Sequence, residues 1–109
     1  MVMKALDTTL LDLEGNELKS DGKATKMRDV FITALLATFP EEAVPNPHTG
    51  APSLSGEEKA ARFQLAVKIT ACTDLAYDFK PEDLVRLKTV VGKGYGPLVV
   101  GRVFEYLNG

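Results

Sequence analysis

Leu54 to Ala71, LSGEEKAARFQLAVKITA, is the stretch whose reading decides the fold. Ser55 with Glu58 three residues on has capping-box spacing, in which the serine hydroxyl takes the Glu58 N–H and the Glu58 carboxylate reaches back to the Ser55 N–H. Glu57 and Glu58 place negative charge at the positive end of the helix dipole. At about 100° per residue, Glu57, Ala61, Gln64 and Lys68 share one narrow strip. Phe63, Leu65, Ala66, Val67 and Ile69 occupy most of the remaining circumference. An apolar arc that wide predicts a central helix over 55–72, covered on more than one side. Loss of a buried Phe63 would then cost roughly 3–5 kcal/mol.

Other elements must surround it. Met27, Val30, Phe31, Ala34, Leu35 and Thr38 follow the i, i+3, i+4 pattern, which predicts a helix over 26–39 capped by Thr25 and ended by Pro40. Ile32, Leu36 and Phe39 widen its stripe beyond one face. The excess apolar surface marks either a second central helix or a surface for self-association or a partner. Pro81 at a first helical position, with Glu82 and Asp83 behind it, opens a helix over 81–92. Pro97 opens the last, over 97–107, with Val100, Val103, Phe104 and Leu107 inward.

Upstream, residues 4–19, KALDTTLLDLEGNELK, read as a short β-hairpin turning at Glu14-Gly15-Asn16. Its candidate core contacts are Leu6, Leu11, Leu13 and Leu18. Ser20-Asp21-Gly22-Lys23 reads as a second turn. Residues 40–54, PEEAVPNPHTGAPSL, hold four prolines and a glycine, which excludes regular structure and marks a long loop with Asn46 to Gly50 at its tip. The expectation is a single mainly α (α+β) domain: four helices and a short N-terminal β-hairpin.

A net charge of −2 with both signs interspersed argues against a generally basic nucleic-acid surface. Cys72 and His48 are each the only residue of their kind, so no intramolecular disulfide and no Cys/His zinc site can form within one chain. Lys4, Asp7 and Asp12 interrupt any N-terminal leader-like run, and no apolar run reaches membrane-spanning length. These features predict a cytoplasmic protein.

The most suggestive local feature is Gly92-Lys93-Gly94-Tyr95-Gly96 before a helix start. It could cradle a phosphate, with Tyr95 stacking on a base. Without P-loop spacing or a preceding strand, it reads first as a helix–helix turn whose glycines permit positive φ. Asp74, Asp78, Glu82 and Asp83 cluster between helices but fail the calcium-loop pattern: the glycine position falls on Phe79 and the last ligand position on Val85. His48, with Glu41 and Glu42 nearby in sequence, sits in the proline-rich loop. Cys72 reads as a small core residue. No catalytic residue, cofactor site or metal site is expected.

The helix DVFITALLA, the stretch LSGEEKAARFQLAVKI and the terminal VVGKGYGPLVVGRVFEYL, behind an extended N-terminal segment, resemble small proteins encoded in tailed-phage genomes and prophages. That group brings no activity and no functional residue to carry over. With the absent catalytic residues, it implies a non-enzymatic interaction protein that binds a host or virion protein in the bacterial cytoplasm, with self-association as a further option. The contact residues would be Phe31, Ile32, Leu35, Leu36 and Phe39 of the first helix, or Pro45, Asn46 and His48 of the loop. The alternative is a small helical nucleic-acid-binding protein using Lys88, Lys93, Tyr95 and Arg102.

Overall fold

The computed structural model describes residues 2–20, 22–39, 55–73 and 76–108. Among them are four helices: α1 (Met27–Leu36), α2 (Gly56–Ala71), α3 (Pro81–Gly94) and α4 (Pro97–Asn108). Four short strands accompany them. β1 (Val2–Lys4) pairs antiparallel with β4 (Tyr77–Phe79), Val2 opposite Phe79, and β2 (Lys19–Ser20) with β3 (Lys23–Ala24). The fold is mainly helical, as expected. The proline-rich stretch 40–54 lies outside the described residues.

The expected hairpin over 4–19 does not form. Its turn does: the Asp12 carboxylate accepts from the N–H groups of Glu14 and Asn16 at 2.9 and 3.0 Å, and Gly15 takes φ +86°. The arms make one isolated bridge, Leu11 with Glu17. Their other backbone groups are claimed elsewhere. The Leu18 N–H does reach across to the Leu10 carbonyl, but the Leu10 N–H donates to the Thr25 carbonyl and the Leu18 carbonyl accepts from the Thr25 N–H. Leu6 and Leu10 are both buried, but Thr8, which a strand would place on the same face between them, is exposed, so the segment does not follow the period of two that a strand requires. Leu11 and Leu13, expected inside, are exposed.

This segment serves α1. Lys26, not Thr25, is the N-cap, and it supplies no side-chain cap. The Met27 and Arg28 N–H groups donate instead to the carbonyls of Thr8 and Leu6, both at 2.9 Å. Backbone carbonyls therefore satisfy two of the orphan donors at this helix start. α1 ends at Leu36, three residues before the expected boundary, with Ala37 extended. Leaving the helix lets Phe39 turn inward to burial. Its ring lies so near Gly94 that a Cβ there would sit 3.0 Å from Phe39 Cε1.

α1 is the central helix. Met27, Val30, Phe31, Ala34 and Leu35 are all buried, and α1 packs on both α2 and α3. The Phe31 ring meets Phe79 edge-on at 6.0 Å and Tyr106 at 5.9 Å, so α1, β4 and α4 join in one aromatic cluster. α2 does not hold the central place read from its sequence. It buries Arg62, Leu65, Ala66 and Ile69 alone, while Phe63 is 54% and Val67 45% exposed. A helix with neighbours on one side can bury only one arc, so the rest of its apolar arc faces outward. The penalty once assigned to Phe63 belongs to Phe31. Phe31→Ala is expected to cost about 3–5 kcal/mol and Phe63→Ala within about 1 kcal/mol, read by urea unfolding of each variant.

Candidate functional site

Among the described residues, no three His, Cys, Asp or Glu side chains come together to hold a metal, and no buried side-chain polar atom lacks a hydrogen bond. Asp74 of the acidic cluster lies outside them, and the Asp83 carboxylate accepts from the Lys80 N–H at the start of α3. No described helix is long and apolar enough to cross a membrane. A groove of about 550 Å³ lies between β2–β3 and the helices, lined in part by Lys19, Lys23, Asp29, Thr33 and Tyr95. Burial raises the Tyr95 pKa, partly offset by a hydrogen bond with Thr33. The groove assembles no nucleophile–base pair.

The contact residues expected on the first helix separate. Phe31, Leu35 and Phe39 are core residues and offer no surface, because α1 is enclosed by the segment before it and the helices after it. Ile32 is half-buried against the core, and Leu36 is exposed. Pro45, Asn46 and His48 lie outside the described residues.

The nucleic-acid set fares similarly. α3 continues through Gly92, Lys93 and Gly94, so no glycine loop exists there, and only Tyr95 and Gly96 separate α3 from α4. Gly94 serves the close approach of Phe39 rather than a phosphate. Arg102 donates to the carbonyls of Leu11 and Asp12 at 3.0 and 2.7 Å and pairs with Glu105 at 3.2 Å. Lys88 donates to the Asn108 side chain and lies 5.7 Å from the Phe104 ring centre. Tyr95 is half-buried, and Lys93 is on the exposed side of α3. Arg102 and Lys88 thus have work within the fold.

The candidate site that remains is the outward face of α2. Gly56, Ala60, Phe63, Val67 and Ala71 recur at helical spacing, and all five are exposed. The buried face, centred on Leu65 and Ile69, lies roughly opposite. Ser55 holds the helix start as expected, its hydroxyl accepting from the Glu58 N–H at 3.0 Å. The other half of the expected capping box is absent, because Glu58 is committed to arginines. Its two oxygens take Arg86 Nε and Nη2, both at 3.0 Å, and Oε2 also takes Arg62 Nε at 3.1 Å. Two charge-assisted bonds from one planar guanidinium outcompete an exposed backbone N–H. This bidentate pair ties α2 to α3 and fixes which side of α2 faces out. The apolar residues of this face were visible in the sequence, but a wide apolar arc reads as burial until the neighbours are counted.

No family model, curated protein or solved structure matches this chain.

Hydrogen bonding from Arg86, opposed by partial burial and aided by Arg62, holds the Glu58 pKa below the ordinary glutamate value of 4.5. The same bond raises the Arg86 pKa. A depressed folded-state pKa adds stability above the unfolded value, and that stability is lost as pH falls through the folded one. Glu58→Gln is expected to cost about 1–2 kcal/mol at neutral pH. Urea midpoints measured against pH should show the variant losing less stability than the parent below pH 4.5.

Proposed function

We propose that this chain is a non-enzymatic protein-binding domain whose contact face is the outward side of α2. The observation that carries the reading is the exposure of Phe63 and Val67, one turn apart, on a helix whose opposite face already completes its share of the core. Covering the exposed halves of these two side chains would contribute roughly 2 kcal/mol. The flanking Gly56, Ala60 and Ala71 leave the helix surface low enough for close approach. The resemblance to small proteins of tailed phages and prophages supports a bacterial cytoplasmic setting and a protein as the partner. Contacts of this kind need no catalytic group.

The face can be tested by position-specific photo-crosslinking in bacterial cells, with Phe63→p-benzoylphenylalanine as probe and the same replacement at Val85, exposed on α3, as control. The reading expects one defined protein adduct from position 63 and none from position 85. No adduct, or the same adducts from both positions, would contradict it.

A further inference from the structure

Along the outward face of α2 the residues run small, small, large, large: Gly56, Ala60, Phe63, Val67. A reversed copy of the same helix presents large, large, small, small. Laid antiparallel about a two-fold axis beside Ala61 and Arg62, Phe63 of each copy packs over Ala60 of the other, and Val67 over Gly56. Large then meets small at every level, which is how interdigitated helix layers fill space. A parallel pairing would set Phe63 on Phe63 and Gly56 on Gly56, leaving gaps between the small residues.

The charges fit the same arrangement. Glu57 and Lys68 are eleven residues apart, about three turns with roughly a 20° offset, so both edge the same flank of the stripe with Gln64 between them. No ion pair of either side chain occurs among the described residues. In the antiparallel pairing Glu57 of one copy comes level with Ala66 of the other, between Gln64 and Lys68 and about 3 Å along the axis from each, twice over by symmetry. Lys59, on the opposite flank, comes level with Gln64 of the other copy, and the two Lys59 residues stand about 7.5 Å apart along the helices, where their exposed side chains can turn away from each other into solvent. A two-fold contact must be complementary to itself, and this face is so in both shape and charge.

We infer that the partner taken by the outward face of α2 is a second copy of this chain, in an antiparallel α2–α2 pair. This deepens the protein-binding reading above and rests on it. From Gly56 to Val67 the contact is about 17 Å long and roughly 10 Å wide. That is a fraction of the ~800 Å² per partner of a standard interface, so the dimer is weak and concentration-dependent.

The test is sedimentation equilibrium of the full chain from micromolar to millimolar concentration, with Phe63→Glu as a variant whose helicity is checked by circular dichroism. The mass should approach twice 11.8 kDa for the parent and stay at 11.8 kDa for the variant. Register is read by disulfide trapping on a Cys72→Ser background. Mixed Gly56→Cys and Val67→Cys chains should cross-link. Neither alone should, since like positions would lie about 16 Å apart along the helices. A parent that stays monomeric, a dimer unchanged by Phe63→Glu, or trapping by either chain alone would overturn the pairing. If position 63 still photo-crosslinks a different protein, the binding reading stands and the second copy falls; if it captures nothing, both fall.

Discussion

The structure depends on enclosing the Phe31 ring. It sits fully buried on the inner face of α1, with Phe79 meeting it edge-on and Tyr106 tilted against it. These rings come from three elements far apart in sequence, so their contact sets where α1, β4 and α4 lie. Tyr106 does a second task, donating its hydroxyl to the Ala5 carbonyl at 2.8 Å, and its burial raises its pKa and keeps it a neutral donor. Arg102, one turn earlier, grips the carbonyls of Leu11 and Asp12. The last helix thereby anchors the N-terminal segment, which in turn closes the start of α1 with the carbonyls of Leu6 and Thr8. Few of these links are regular secondary structure, yet they engage the backbone carbonyls of Ala5, Leu6, Thr8, Leu11 and Asp12.

With α1 at the centre, α2 is a peripheral helix. It packs on α1 with Leu65, Ala66 and Ile69 buried, and Arg28 near the start of α1 reaches across to the Ile69 carbonyl near the end of α2. Glu58 then prevents α2 from rolling, since its bidentate pair with Arg86 holds one edge against α3. A half-buried ion pair contributes modest stability, but its geometry is directional in a way that apolar packing is not. What is left outward is the Gly56–Ala71 stripe. The proposed function follows from this division of faces rather than from any reactive group.

Much of the helical framework was legible in the sequence because its signals are local. Ser55, Pro81 and Pro97 mark helix starts through capping and fixed φ, and all three stand where expected. The helix over 81–92 ran two residues further because Gly92 and Gly94 tolerate helical geometry, and Gly94 was required there by the Phe39 ring. What failed was long-range. The sequence of 4–19 carries a good turn but not the information that Thr25 and Met27 would take its hydrogen bonds. The apolar arcs of α1 and α2 look alike in projection, and only the neighbours of each decide which is enclosed. Phe31 and Leu35, expected as contact residues, are therefore buried, while Phe63 and Val67, expected in the core, are exposed.

The central claim is that α1 is the enclosed helix and α2 the one with a face to give. Residue-resolved native-state amide hydrogen exchange, run at low and high protein concentration, reads both halves at once. The account predicts that Val30, Phe31, Ala34 and Leu35 exchange only through global unfolding at either concentration. Amides of α2 should open at lower free energy and gain protection as concentration rises. Amides of α2 as protected as those of α1 when dilute, with no concentration dependence, would contradict it.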